Sequence, residues 1–286
     1  SHALFWLHFE IINNPDRALI YSDHDFIDDS GLRVNPEFKP QCSPELLFSR
    51  NYIGNFLAVN LKFIPSSIRF EDLSIYKVAL SVICETRPYR SDGAEVKHIP
   101  AILYHDKFKT ERELEQRSIV KEFIVDQRIS ATVSEVTGFS KVLYHPVESP
   151  LISIIIPTRD MLHHLERCVE SVLNNTMYSN FEILILDNQS EKEETISYFR
   201  RIVEDCRVKV IPYDHPFNYS AINNFAATKA KGDLLCLLNN DTEVISAEWL
   251  DVMLGQLQQP NVGAVGVKLL FANRTVQHAG DAVGPG

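Results

Sequence analysis

The sequence predicts an α/β protein with a mostly parallel sheet flanked by helices, and three observations predict it. Short apolar runs recur through the second half: Leu151 to Pro157, Phe181 to Leu186, Val208 to Pro212 and Leu234 to Leu238. Single helical patterns separate them, and strands alternating with helices make a doubly wound parallel sheet. Three of the runs stop in polar residues: Thr158-Arg159-Asp160, Asp187-Asn188 and Asn239-Asn240-Asp241. The carboxyl ends of such strands are where open α/β sheets bind ligands.

The elements follow in order. The first half is the less regular one. It reads as a helix near 3–12, a strand from Ala18 to Ser22 and a polar loop over 23–45 rich in Asp, Pro and Asn. Strand-like Phe56 to Asn60, a helix near 71–84, the segment Val96 to His105 and a long helix near 109–127 come next. Residues 145–150, with two prolines, read as a linker.

From residue 151 the pattern is cleaner. Leu162, Leu165, Cys168, Val169, Val172 and Leu173 follow helical spacing and give one apolar stripe. A charged helix is expected at about 191–204 and another from Ser220 to Lys229, closed by Gly232 as a C-cap. Leu234 to Leu238 runs without a polar break, which reads as a strand buried on both faces. No Gly-x-Gly-x-x-Gly follows the first strand of this half, which argues against a dinucleotide-binding domain.

Bulk properties narrow the function classes. With 286 residues, 45% hydrophobic and 23% charged, the chain has the make-up of an ordinary globular protein. No apolar run is long enough to span a bilayer, and no signal-peptide pattern opens the chain. The formal charge of −10 disfavours nucleic acid as a partner. The five cysteines are scattered and never form Cys-x-x-Cys, which points to a reducing compartment rather than a zinc site. Each is expected to serve as a small buried apolar residue.

An internal repeat is also visible. Ser246 through Pro260 resembles Ser1 through Pro15 in order and apolar pattern, at a constant, gap-free offset of 245. Both stretches lead into an apolar strand, Val262 to Val267 and Arg17 to Ser22. Identity within the repeat is low.

The polar strand ends could serve as helix caps, since Asp and Asn favour N-cap positions. Their convergence at three carboxyl ends favours a ligand crevice. Four segments carry a closer resemblance: Ser153-Ile-Ile-Ile-Pro-Thr-Arg-Asp160, Glu182-Ile-Leu-Ile-Leu-Asp-Asn-Gln-Ser190, Pro216-Phe-Asn-Tyr-Ser-Ala-Ile-Asn-Asn-Phe225 and Leu237-Leu-Asn-Asn-Asp-Thr-Glu243. In this order they resemble a family 2 glycosyltransferase of the GT-A fold, nearest to polysaccharide and O-antigen rhamnosyltransferase-like members. Thr275-Val-Gln-His-Ala-Gly280 fits the same family.

That resemblance implies a nucleotide-diphosphate-sugar donor. Pro157, Thr158 and Asp160 would line the nucleotide, with Asn188 beside them, and Asp187 would bond the base or ribose. Asn240 and Asp241 would stand at the family's metal motif, with an amide in place of the first acid, so that Asp241 supplies the charge that holds Mg²⁺ or Mn²⁺. Such an ion neutralises a leaving diphosphate. Asn218, Ser220 and Asn223 open a helix near that site, with capping and core hydrogen bonds as the alternative role.

The first half resembles the acceptor side of such modules, through Tyr21-Ser-Asp-His-Asp-Phe-Ile-Asp28, Phe38-Lys-Pro40, Ser43-Pro-Glu-Leu-Leu47, Asn51-Tyr-Ile-Gly54 and His98-Ile-Pro-Ala-Ile-Leu-Tyr-His105. Asp72 falls where the family carries its catalytic base, with Glu71 to orient it or bind acceptor. In an inverting transfer such a carboxylate removes the acceptor's hydroxyl proton. Ser74, Lys77-Val78 and Asp106-Lys107 depart from the family pattern. Asp23 and Asp25 form an Asp-x-Asp, with metal binding as the lesser alternative.

Acceptor half thus precedes nucleotide half. Residues 1–148 are expected to be the acceptor-side half of one module, and 149–286 the nucleotide-sugar-binding half of a second, in a tandem enzyme. A circular permutant is the alternative. The implied partners are a nucleotide-sugar donor and a glycan or lipid-linked glycan acceptor. The implied place is the cytoplasm, at the inner face of a bacterial membrane, with peripheral association through the full-length protein. Two other functions stay open: a non-catalytic glycan- or nucleotide-binding module, and a sugar-phosphate nucleotidyltransferase. The second is disfavoured by the lack of a glycine-rich phosphate loop.

Overall fold

The computed structural model describes residues 2–64, 74–86, 96–107 and 112–280. They fall into two compact units, Ser1–His145 with Gln259–Gly286, and Pro146–Gln258.

The first unit opens with α1 (His2–Asn13), then β1 (Leu19–Ile27), β2 (Arg33–Glu37), α2 (Pro44–Ser49) and β3 (Leu57–Val59). It continues with α3 (Ile75–Thr86), β4 (Val96–Lys107), α4 (Arg112–Asp126) and a hairpin of β5 (Ala131–Val136) and β6 (Phe139–Tyr144). β1 is central: β2 and β3 pair with it antiparallel and β4 pairs with it parallel. Its core gathers Leu19, Tyr21, Leu47, Tyr52, Ile53, Leu80, Ile83 and Phe123.

The expected loop over 23–45 is corrected here. β1 runs on to Ile27 through Asp23, His24 and Asp25, all buried, and β2 takes up 33–37, so that irregular backbone is confined to 28–32 and 38–43. Burying such residues is tolerable only when each is paired. The Asp23 carboxylate accepts from the Lys39 N–H at 2.9 Å and lies 2.7 Å from His98 Nε2. Asp25 is bonded to His105 Nδ1, and it accepts from Arg33 Nε at 2.6 Å. Burial pushes the Asp25 carboxyl up, but the hydrogen bonds and charges of His105 and Arg33 outweigh it and hold the group below its ordinary value. The hairpin β5–β6 is not anticipated by the pattern above. It turns at Thr137 and Gly138, both at positive φ (49° and 84°), the backbone a tight hairpin turn requires.

The second unit is the α/β layer structure expected. It comprises β7 (Ile152–Thr158), α5 (Leu162–Asn174), β8 (Phe181–Asp187), α6 (Glu193–Ile202), β9 (Val208–Pro212), α7 (Tyr219–Ala227), β10 (Leu234–Leu237) and α8 (Trp249–Leu257). Among the described residues the sheet order is β10-β7-β8-β9, every pair parallel. Successive residues of β7 and β8 feed opposite cores. Ile154, Ile156, Ile183 and Ile185 join α5, α6 and α8 on one face, whereas Ile155, Leu184 and Leu186 join Ile222 and Ala226 of α7 on the other. That two-sided burial is why these strands read as unbroken apolar runs.

Several expectations are corrected. β10 is the edge of the sheet, not a strand buried on both faces: Cys236 is buried, but Leu235 and Leu237 are about half exposed. Its run stays apolar although alternate residues are exposed, so composition does not separate it from a central strand. Gly232 does not cap α7, which ends at Ala227 with Thr228 as its cap. Its role is close approach: a Cβ there would lie 2.5 Å from the Leu151 carbonyl oxygen and 2.7 Å from the Ser153 nitrogen. Cys206 is exposed, in the turn before β9, so it is not a core residue. The stretch Val262 to Val267 forms no strand; the next strands are β11 (Leu269–Leu270) and β12 (Val276–His278), paired with each other.

A buried carboxylate ties the amino end of this sheet together. Glu182 accepts from Ser153 Oγ at 2.8 Å, from the Lys231 N–H at 2.7 Å and from Lys209 Nζ at 2.6 Å. Burial alone would raise its pKa, and these three donors more than offset that, leaving it below the usual value.

Candidate functional site

The carboxyl ends of β7, β8 and β10 surround a cleft of about 250 Å³ within the second unit. Pro157, Thr158 and Arg159 form its floor at the end of β7, and Asn188 follows β8. Asn239, Asn240 and Asp241 follow β10, while Phe217 and Tyr219 enter from the start of α7. The site is therefore built where parallel strands end, from loops held by a rigid sheet.

Hydrogen bonds fix the geometry. Asn240 Nδ2 donates to Thr158 Oγ1 at 2.9 Å, which joins the β10 loop to the end of β7 and leaves the Asn240 carbonyl oxygen for other partners. Asn188, only 3% exposed, donates through Nδ2 to the carbonyls of Tyr213 (3.1 Å) and His215 (2.8 Å). Its own N–H donates to the Thr158 carbonyl at 2.8 Å. It thereby holds the segment leading to Phe217 against the sheet. The Asp241 carboxylate is exposed and has no hydrogen bond or ion pair among the described residues. It is the one carboxylate among the cleft-lining residues given above.

The fit to a divalent cation follows from that donor set. Among the described residues no group of three or more His, Cys, Asp or Glu stands where it could hold a metal ion. An all-protein cage is thus not what this cleft offers. One free carboxylate beside amide and hydroxyl oxygens suits Mg²⁺ or Mn²⁺ shared with a bound diphosphate, because such ions keep waters and take one or two protein carboxylates. Asp23 and Asp25, the Asp-x-Asp of the first unit, are committed to His98, Lys39, His105 and Arg33.

Residues 153–280 match the model of Glycosyl transferase family 2. The chain carries a glycosyl transferase family 2 domain. It is 37% identical over 99% of its length to the O-antigen biosynthesis protein RfbC of Myxococcus xanthus, of which it covers 23%. It is 36% identical over 96% of its length to the uncharacterized protein y4gI of Sinorhizobium fredii, of which it covers 32%. The chain thus spans less than a third of the length of these curated relatives. The mannosyltransferase PcManGT of Pyrobaculum calidifontis, solved with GDP-Man and Mn2+, overlaps 42% of this chain and 36% of its own at 21% identity, with a TM-score of 0.39. Among the described residues no helix is long and apolar enough to cross a membrane.

Within this glycosyltransferase domain the sequence-predicted residues divide. Pro157, Thr158, Asn188, Asn240 and Asp241 meet at the cleft. Asp160 and Asp187 are not among the residues that line it, and both accept hydrogen bonds within the adjoining loops. Asp160, at φ +51°, accepts from the N–H groups of Glu191 and Lys192 (3.0 and 2.9 Å) at the start of α6, and Asp187 accepts from the Ser190 N–H at 2.9 Å. Asn218 takes the alternative role given above, capping α7 through the Ala221 N–H at 2.9 Å. Ser220 is exposed on the first turn of α7. Asn223 is buried, donating to the Tyr219 carbonyl at 2.7 Å, with its Oδ1 buried and unbonded. Glu71 and Asp72 lie outside the described residues.

Sequence reasoning passed over Arg159, Phe217, Tyr219 and Asn239 as site residues, although each sits inside a segment it singled out. A signal was present for two of them. Phe217 and Tyr219 flank the helix cap, and aromatics before a helix on the sheet's carboxyl side are placed to face a crevice. In the structure they are 68% and 46% exposed.

Asn188→Ala tests whether this frame is energetically real. It leaves the Tyr213 and His215 carbonyls without their donor, which costs about 1–3 kcal/mol at buried Tyr213 and less at exposed His215. The expected outcome is a lower urea midpoint together with weaker nucleotide affinity in calorimetry. An unchanged midpoint would show that the loop is held by other contacts.

Proposed function

We propose that this chain belongs to an enzyme that transfers a sugar, with inversion, from a nucleotide-diphosphate sugar to a growing polysaccharide or other glycan acceptor. The observation that carries the donor part is a cleft at the carboxyl ends of parallel strands, holding one unpaired carboxylate, Asp241, among amide and hydroxyl groups. Thr158, Asn188 and Asn240 would position the nucleotide sugar, and Phe217 and Tyr219 would exclude water from one side. Asp241, with the Asn240 carbonyl, would hold Mg²⁺ or Mn²⁺, which when bound neutralises charge on the diphosphate leaving group. The relationship to an O-antigen biosynthesis protein over 99% of the chain supports a glycan acceptor.

In this reading residues 1–148 are the acceptor-side half of one module and 149–286 the donor half of the next. Asp72 would be the base of the first module. A second reading, binding without transfer, is favoured for this stretch alone because Asp241 is the one carboxylate at the described cleft.

Calorimetry with UDP- and dTDP-sugars, with and without Mn²⁺, tests the proposal. Donor binding that appears or strengthens with the metal is the expected result. Metal-independent binding of an oligosaccharide, with no response to any nucleotide sugar, would overturn it.

A further inference from the structure

The internal repeat gains a structural counterpart. Under the offset of 245, the turn after each helix carries the same bond: Arg17 N–H to the Asn14 carbonyl (3.4 Å) and Val262 N–H to the Gln259 carbonyl (3.2 Å). Phe5, Phe9 and Ile12 of α1 fall on Leu250, Leu254 and Leu257 of α8. Spacings of four and three place each trio on one face of its helix.

The two trios have opposite fates. Leu250 and Leu254 are 2% and 1% exposed and belong to the core that α8 shares with β7 and β8. Phe5, Phe9 and Ile12 are 61%, 49% and 64% exposed, and no residue of α1 is buried. The strands behave in the reverse sense. β1, after α1, is paired on both edges, whereas 262–267, after α8, forms no strand. Each copy of the helix–strand unit therefore has what the other lacks: α8 has a parallel sheet beneath it, and β1 has sheet partners beside it.

We propose that the Phe5–Phe9–Ile12 face of α1 docks on a parallel sheet of the same kind as that of Pro146–Gln258, on the face that α8 covers there. This sheet is contributed by a preceding stretch of the same polypeptide in the full-length protein. The occupant is specified by the register: the surface that accepts Leu250 and Leu254 in one copy is the surface that accepts Phe5 and Phe9 in the other. A second copy of this chain is a poor occupant, because its own α8 already covers that face. The relatives have room for such a unit, since the chain makes up 23% and 32% of their lengths. The inference rests on the repeat and not on sugar transfer, so α1 docking and donor binding can fail separately.

Amide hydrogen exchange tests it, comparing the full-length polypeptide with the 286-residue chain. The α1 amides should exchange on the order of tenfold or more slowly in the full-length protein, as expected when a helix is packed rather than open. Phe5→Glu with Phe9→Glu should remove that protection, while exchange in α8 and β7 reports an intact second unit. Phe5→Leu with Phe9→Leu, the residues found in α8, should retain it. Three outcomes each overturn the proposal. They are equal α1 exchange in the two forms, a full-length polypeptide with no α/β unit ahead of Ser1, and protection in the 286-residue chain that rises with concentration.

Discussion

Asp241→Asn should abolish the metal response of nucleotide-sugar binding. The substitution keeps the shape of the side chain and removes its charge, and no neighbouring carboxylate lines the cleft to replace it. The expected loss in Mn²⁺-dependent affinity is about a hundredfold, or roughly 2.8 kcal/mol. Calorimetry at matched ionic strength is the measurement, because a surface carboxylate also contributes to the long-range field. Asp160→Asn is the control. Its side-chain oxygen still accepts from Glu191 and Lys192, none of the three lines the cleft, and so the metal response should survive. An Asp241→Asn protein that binds donor with undiminished metal dependence would move the ion to another set of oxygens.

Gly232→Ala should be the most destabilising single-methyl change in the second unit. The added Cβ meets backbone, the Leu151 oxygen and the Ser153 nitrogen, which cannot swing aside as a flexible side chain would. Relief requires the 231–233 segment to move off β7. That movement stretches the Gly232 N–H bond to Ser153 Oγ (2.9 Å) and the Lys231 N–H bond to Glu182. Glu182 is buried, so loss of a donor falls on a desolvated carboxylate. Overpacking of this kind costs about 1–3 kcal/mol. Fluorescence of Trp249 during urea unfolding, in a Trp6→Phe background, reads the second unit by itself, since the chain has two tryptophans. A midpoint equal to that of the parent would mean that β10 and its approach can slide on β7 without penalty.

Both predictions depend on features legible to different degrees in the sequence. The second unit was legible because a parallel sheet covered on both faces demands unbroken apolar strands, as in Ile154-Ile155-Ile156 and Ile183-Leu184-Ile185-Leu186. Its carboxyl ends were legible because Thr158, Asn188 and Asn240-Asp241 break those runs abruptly. The first unit was harder. β1 continues through Asp23-His24-Asp25 only because His98, His105, Lys39 and Arg33, remote in sequence, pair with that segment. No local pattern contains that information. The hairpin β5–β6 was missed because its strands are largely exposed and carry weak alternation.

Sequence alone carried the α/β layering of the second unit, the three strand ends that form the cleft, the glycosyltransferase resemblance and the helical part of the repeat. Each is a local or periodic property of the chain, written in adjacent residues. Tertiary structure decided which polar groups are free and which are consumed. It gave Asp160, Asp187 and Asn218 hydrogen-bond partners in the adjoining loops and at the start of α7, left Asp241 unpaired among the described residues, made β10 an edge and placed Gly232 against a neighbouring strand. It also gave the two copies of the repeat different surroundings, burying Leu250 and exposing Phe5. The physical reason is the same throughout: a side chain's type is set where it stands, but its partners come from segments that only folding brings near.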